Sequence, residues 1–309
     1  MNSTLRIIYM GTPALSSSIL EGLINYGYNI VGLICQEDKP VGRKGLIEAV
    51  PTKKIALKYQ IPVFQPHRIR LDYEFVKELK PDLIITCAYG QILPQGLLDI
   101  PRLGAINVHG SLLEKYRGAS PIQQSLINGD KTSGVTIMEM IDKMDAGDMM
   151  DKEEFIITED DNYTSLCQKI AESGLKGLLK VIPEIELGKE KRIKQDESKA
   201  TFCKKITKEE EHLNLNLTNV EVNNWIRALS ETPGGYVLLD EQVFKIYKAE
   251  TVDGHGVVGE IIKADKNGLY IATGQGALSL KIVQKQGKKK MDYKSFINGE
   301  KNLLGKIVK

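Results

Sequence analysis

The sequence predicts an α/β domain built on a mostly parallel sheet, followed by a smaller β-rich domain. Three observations lead there. From residue 5 to residue 181, apolar runs of strand length alternate with segments of helical periodicity, the pattern of a parallel sheet covered on both faces. A charged stretch over residues 189–205 then breaks the pattern. Beyond it come one short helix and brief strands separated by turns.

In chain order, strands are expected at residues 5–10, 29–35, 83–87 and 105–109, with further ones near 134–140 and 153–157. Helices are expected at 14–26, 51–58, 73–79, 121–128 and 163–181. Thr52 is a candidate first residue for the second helix, and Asp161 or Asn162 a candidate cap for the last. After the charged stretch, a helix at 220–229 precedes Pro233-Gly234-Gly235 and strands at 236–239, 242–250, 257–264, 268–272 and 278–283. Short strands at this density suggest a small barrel, OB-like or related, and periodicity alone leaves a small sandwich open. The domains are therefore drawn as 1–188, a linker at 189–205, and 206–309.

At 309 residues the chain is long enough for two cores. A net charge of +2 implies no global attraction to nucleic acid, so any basic surface must be local. The amino terminus has no charged-then-apolar leader pattern, and no apolar run reaches membrane-spanning length. Cys35, Cys87, Cys167 and Cys203 lie far apart, which argues against a zinc knuckle or a disulfide framework and fits a cytoplasmic protein. Cys87 reads as a buried packing residue. Gly11 follows the first strand without Gly-x-Gly-x-x-Gly spacing, and no Gly-Lys-Ser or Gly-Lys-Thr occurs. A dinucleotide fingerprint and an ordinary phosphate loop are both unsupported.

Chemistry concentrates at the end of the strand 105–109. Asn107 and His109, two apart, point to one face, with Val108 on the other. In open α/β sheets ligands bind at the carboxyl ends of strands. An amide donor beside an imidazole there is suited to stabilising an oxyanion and moving a proton. A strand-like run, 134–140, leads into the acidic loop Asp142-Lys143-Met144-Asp145-Ala146-Gly147-Asp148. If the two strands are neighbours, a carboxylate of this loop can reach the imidazole.

Asn107-Val108-His109-Gly110-Ser111-Leu112-Leu113, the continuation Tyr116 to Gln123, and the Asp142–Asp148 loop resemble the folate-dependent formyltransferases. The wider likeness is to the branch that acts on methionyl-tRNA. It includes Met10-Gly11-Thr12-Pro13, Lys39 to Arg43, Ala88-Tyr89-Gly90-Gln91-Ile92-Leu93-Pro94 and Gln286 to Met291. The resemblance implies a Rossmann-like formyltransferase domain, tips the second domain toward the barrel, and makes that barrel a tRNA-binding domain. It implies 10-formyltetrahydrofolate as formyl donor, no metal, and the α-amino group of initiator methionyl-tRNA as acceptor. Asn107, His109 and Asp145 are then catalytic, the choice of Asp145 over Asp142 and Asp148 coming from the family pattern. Ser111, Leu112, Leu113, Glu114, Tyr89, Gly90, Gln91, Ile92 and Asp142 would meet the folate. The sequence departs from the family at Glu114, where a stiffening proline is usual.

Two basic regions are candidates for RNA. Lys39, Arg43, Lys44, Lys53 and Lys54 flank a Gly-containing loop after the second strand, and the resemblance places Arg43 near the tRNA acceptor end. From Lys266 to Met291 there are six lysines, Lys285, Lys288, Lys289 and Lys290 among them, and no acid. Lysines in such a cluster neutralise phosphates with little base specificity, although lysines also protect sheet edges from pairing. The linker adds Lys189, Lys191, Arg192, Lys194 and Lys199. A formyltransferase for an amino-sugar nucleotide, or for a purine precursor, would share Asn107, His109 and Asp145 but would need neither basic region. An RNA-binding protein with a degenerate catalytic domain would have no use for the intact trio. A monomer is expected.

Overall fold

The computed structural model describes residues 4–41 and 45–309. In chain order its strands and helices begin with β1 (Arg6–Gly11), α1 (Ala14–Asn25), β2 (Asn29–Ile34), β3 (Lys39–Val41) and β4 (Leu46–Glu48). Then come α2 (Pro51–Lys58), β5 (Val63–Phe64), α3 (Phe75–Glu78), β6 (Leu83–Cys87), α4 (Gln95–Leu98) and β7 (Ala105–His109). They continue with β8 (Arg117–Gly118), α5 (Pro121–Ile127), β9 (Thr132–Glu139), β10 (Met149–Ile156), α6 (Tyr163–Glu186) and β11 (Phe202–Cys203). The remainder are α7 (Asn219–Leu229), β12 (Gly235–Leu239), β13 (Gln242–Val252), β14 (Ile261–Asp265), β15 (Gly268–Ala272), β16 (Ala277–Lys285), β17 (Met291–Asp292) and α8 (Tyr293–Gly299). Two compact units result. One comprises Met1–Gly118, Thr132–Ile156 and Cys167–Cys203; the other comprises Ala119–Lys131, Ile157–Leu166 and Lys204–Lys309.

The first unit is a seven-stranded sheet in the order β10-β9-β7-β6-β1-β2-β5. The β5-β2-β1-β6-β7 run is parallel, and β9 and β10 are antiparallel additions. The order reverses between β1 and β6, and Gly11 pairs with Cys87 at that edge. This is the crevice where open α/β sheets bind ligands. Central strands read as unbroken apolar runs because both faces are covered. β6, Leu-Ile-Ile-Thr-Cys, is buried throughout. On one face α6 comes close enough that a Cβ on Gly174 would lie 2.7 Å from Val108. On the other, Ile8, Met10, Ile84, Leu93 and Leu97 form an apolar cluster that includes Tyr89.

Local differences from expectation have physical causes. Thr52 does not open α2; Pro51 holds the first turn, and the buried Thr52 hydroxyl donates to Gly11 O at 2.9 Å. Asn162 does cap α6, its Oδ1 accepting from Ser165 N at 3.0 Å. Residues 189–205 are not a bare spacer. Ile193 bridges Met149, and β11 pairs with β8 in parallel, so the stretch is hydrogen-bonded into the first unit.

In the second unit, the sheet order β12-β13-β16-β15-β14 with β17 beside β16 packs around Val237, Phe244, Ile246, Leu278 and Leu280. The segment 306–309 joins the free edges. Lys309 exchanges backbone hydrogen bonds with Leu238, while Val308 N donates to Gly259 O and Lys306 O accepts from Ile261 N. The sheet thereby closes into a small barrel, which leaves no open edge on that side. α7 carries a capping box in which Thr218 and Glu221 bond each other's backbone. Among the described residues no helix is long and apolar enough to cross a membrane.

Candidate active site

β7 delivers Asn107 and His109 to the face shared with Thr86 on the neighbouring β6, since Thr86 pairs with Asn107. The Thr86 hydroxyl donates to Asn107 Oδ1 at 2.8 Å. That leaves the amide nitrogen of Asn107 with no protein partner among the described residues, so both its hydrogens are free for a ligand. His109 is 4% exposed, and its Nε2 lies 3.0 Å from Tyr116 O. A carbonyl only accepts, so Nε2 carries a proton and Nδ1 is the nitrogen left to exchange one.

Nδ1 of His109 faces Asp145, 3.8 Å from Oδ2. Because β9 runs antiparallel to β7, with Glu139 opposite Ile106, the loop bearing Asp145 leaves from the far end of β7 rather than beside His109. Asp145 therefore reaches the imidazole by folding back, its φ of +49° lying in the left-handed region. Such a backbone in a residue with a Cβ persists only where its surroundings impose it. Its Oδ2 also accepts from Gly118 N at 2.8 Å. Amide, imidazole and carboxylate thus gather at the carboxyl edge of the parallel strands, which sets a hydrogen-bond donor, a proton carrier and an anionic acceptor together.

The expected folate residues divide into several settings. Ser111 to Glu114 leave the end of β7 and are tied down. Ser111 Oγ donates to Lys115 O at 2.6 Å, Leu113 N donates to the Thr136 hydroxyl at 2.9 Å, and Lys152 Nζ donates to Leu113 O. Leu112 packs against Gly134, where a Cβ would lie 2.5 Å from its side chain. Glu114 anchors its loop in place of a proline, Oε1 accepting from Asp196 N at 2.6 Å and its carbonyl from Thr201 N at 3.1 Å. Tyr89 to Ile92 leave the adjacent end of β6. The Tyr89 ring is buried, its carbonyl accepts from Thr12 and Gln36, and its hydroxyl has no partner among the described residues. Burial pushes that phenol well above its ordinary range. Gly90 sits at φ +91°, the Gln91 side chain is spent on Ile69, Pro66 and His67, and Ile92 is 74% exposed. Asp142 is exposed and stands without a protein partner among the described residues.

Of the expected RNA ligands, Arg43 and Lys44 lie outside the described residues. Lys39 is exposed on the hairpin β3–β4, whose base is fixed by Asp38. Lys53 is committed to Asp38 at 2.5 Å and Gln65 at 2.8 Å, and holds the Asp38 carboxyl below its usual range. In the second unit, Lys288 and Lys289 project from the turn between β16 and β17 with no carboxylate partner among the described residues. Lys285 is paired with Glu300 at 2.6 Å, and Lys281 with Glu250 at 2.7 Å. Lys290 lies over the Tyr247 ring and 3.2 Å from Glu231.

Sequence reading missed Thr86, Thr136, Arg117 and Gln195. Thr86 is a polar residue inside an apolar strand, a signal available in the sequence. Gln195 gave none, because it stands in what reads as a linker.

A formyl transferase model matches residues 5–182, and a formyl transferase C-terminal domain model matches residues 205–301. A methionyl-tRNA formyltransferase of Macrococcus caseolyticus is 45% identical over 97% of both chains. Among solved structures, HypX of Aquifex aeolicus with tetrahydrofolic acid aligns at a TM-score of 0.70 and 18% identity, over 96% of this chain and 47% of that one. A methionyl-tRNA formyltransferase of Clostridium thermocellum aligns at 0.59 and 16% identity, over 81% and 95%. These two structural likenesses speak to fold; the sequence matches carry the assignment. The chain belongs to the formyl transferase family and is similar to the methionyl-tRNA formyltransferases along nearly all of its length.

Proposed function

We propose that this protein transfers the formyl group of 10-formyltetrahydrofolate to the free α-amino group of initiator methionyl-tRNA, giving N-formylmethionyl-tRNA. One observation supports the reading above the rest: in a chain of this family, a free amide donor, a pinned imidazole and a back-folded carboxylate meet at one sheet edge. The folate supplies the formyl carbon already bonded to a displaceable nitrogen.

Asn107 Nδ2 donates to the formyl oxygen as the amine nitrogen bonds to the carbon and negative charge gathers on that oxygen. One such donor is worth ~100- to 1000-fold in rate. His109, with Nε2 held by Tyr116 O, uses Nδ1 to pass a proton from the attacking amine to the departing nitrogen as its bond to carbon breaks. Asp145 balances the imidazolium while it holds that proton. Atoms close without an acyl-enzyme: the amine loses one hydrogen and gains the formyl group, and the donor nitrogen takes the hydrogen.

The loops Ser111–Glu114 and Tyr89–Ile92 with Asp142 flank the folate in this reading, and Glu114 keeps the first of them stiff. Arg43 and Lys44, with Lys39, meet the acceptor end. The barrel of residues 206–309 binds the tRNA backbone through Lys288 and Lys289, with Lys285 and Lys290 contributing less because each already has a carboxylate partner. The protein acts as a cytoplasmic monomer. The test is formyl transfer by the purified protein, with methionyl-tRNA and an amino-sugar nucleotide offered separately. Turnover of the tRNA alone supports the reading, and turnover of the sugar nucleotide alone overturns it.

A further inference from the structure

Gln195 lies in the segment between the family's two domains, yet it is 5% exposed and hydrogen-bonded at both ends of its side chain. Its Nε2 donates to Asp145 O at 2.9 Å and to Gly147 O at 2.7 Å. Its Oε1 accepts from Arg117 Nε at 3.0 Å and from a second guanidinium nitrogen at 2.8 Å. This orientation has no alternative. A guanidinium only donates and a carbonyl only accepts, so the amide oxygen must face Arg117 and the amide nitrogen must face the loop.

Arg117 is fully buried and is held in turn by Glu197, at 3.0 and 3.2 Å. The residue after it, Gly118, donates its N–H to Asp145 Oδ2. Asp145 is thus gripped by its backbone from Gln195 and by its carboxylate from Gly118. Two carbonyls of the turn accept from one amide, which supports a backbone that the left-handed φ of Asp145 makes costly for any residue with a Cβ. Gly147 is constrained as well: a Cβ there would lie 2.1 Å from Glu139 O.

We infer that Gln195 is a positioning residue for formyl transfer, fixing the back-folded turn that presents the Asp145 carboxylate to His109. The inference rests on the proposed roles of His109 and Asp145. Gln195 bonds neither His109 nor Asn107, so its effect on the reaction passes through Asp145.

The discriminating variant is Gln195→Glu. It keeps acceptor oxygens for Arg117, so the buried cation stays paired, but it turns an oxygen instead of an N–H toward the two carbonyls. In formyl transfer from 10-formyltetrahydrofolate to methionyl-tRNA, the expected kcat is lower by roughly 10- to 100-fold, the scale on which small misplacements act. KM for both substrates stays within about twofold, and the protein melts cooperatively. Where Gln195→Glu fails to fold, Gln195→Asn keeps the amide but draws it back by one methylene, and the same split between kcat and KM is expected. In an Asp145→Ala background, measured in single turnover, the Gln195 change should cost nothing further.

A folded Gln195 variant with wild-type kcat overturns the inference, as does an undiminished effect in the Asp145→Ala background. Wild-type turnover by Asp145→Ala itself would instead overturn the site reading, and the inference with it.

Discussion

The Thr86 hydroxyl holds Asn107 Oδ1 at 2.8 Å, so the amide that we propose as donor to the formyl oxygen is oriented from the neighbouring strand. Thr86 is 3% exposed, and valine there keeps the branched shape while replacing the hydroxyl with a methyl group. Thr86→Val should lower kcat about tenfold, or ~1.4 kcal/mol of barrier, while Thr86→Ser retains activity. Asn107→Ala, which deletes the donor, should cost ~100- to 1000-fold. Steady-state kinetics of the three variants checks the order. Equal activity of Thr86→Val and wild type would mean that the amide needs no such hold.

Glu197 makes the acid sensitivity of the first unit testable. The Arg117 guanidinium, with Lys143 beside it, holds the Glu197 carboxyl at about 2 instead of its ordinary 4.5. A carboxylate with a depressed folded-state pKa contributes stability in full above its unfolded value and loses it as the pH falls through the folded one. The gap in unfolding midpoint between wild type and Glu197→Gln should therefore be present at neutral pH, shrink below about 4.5 and vanish near 2. Urea melts at a series of pH values measure it. A gap independent of pH contradicts the pairing.

On the proposed function, lysine partnering in the barrel predicts which lysines contact RNA and which only brace the fold. Lys288 and Lys289 are exposed in the β16–β17 turn, whereas Lys285 already meets Glu300 at 2.6 Å. Removing one lysine that neutralises a phosphate should reduce the slope of log affinity against log salt by about 0.9 or less. Lys288→Ala with Lys289→Ala should flatten that slope by roughly 1.5 for tRNA, and Lys285→Ala by clearly less. Filter binding across a salt series gives the slopes. Equal flattening by both would mean that the Glu300 pair opens for RNA.

Legibility followed the physics of each element. β6 and β7 were readable because doubly covered parallel strands are apolar throughout, and Asn107 and His109 stood out as polar residues ending such a run. The barrel strands were readable from their turns. β5, of two residues, and the pairs β3–β4 and β8–β11 were not, because strands so short carry no period. The antiparallel setting of β9 was equally hidden, since strand direction leaves no mark on composition, and with it went the back-folded path of Asp145. Gln195 and Arg117 were out of reach for another reason. Their hydrogen bonds join positions 78 apart, and the polar segment that supplies Gln195 looks like any solvated linker.

Single-turnover formyl transfer by His109→Ala and Asp145→Asn tests the trio most directly. Both variants should bind methionyl-tRNA and the formyl donor with near-native affinity and transfer the formyl group ~100- to 10,000-fold more slowly. Near-wild-type transfer by either would contradict the site.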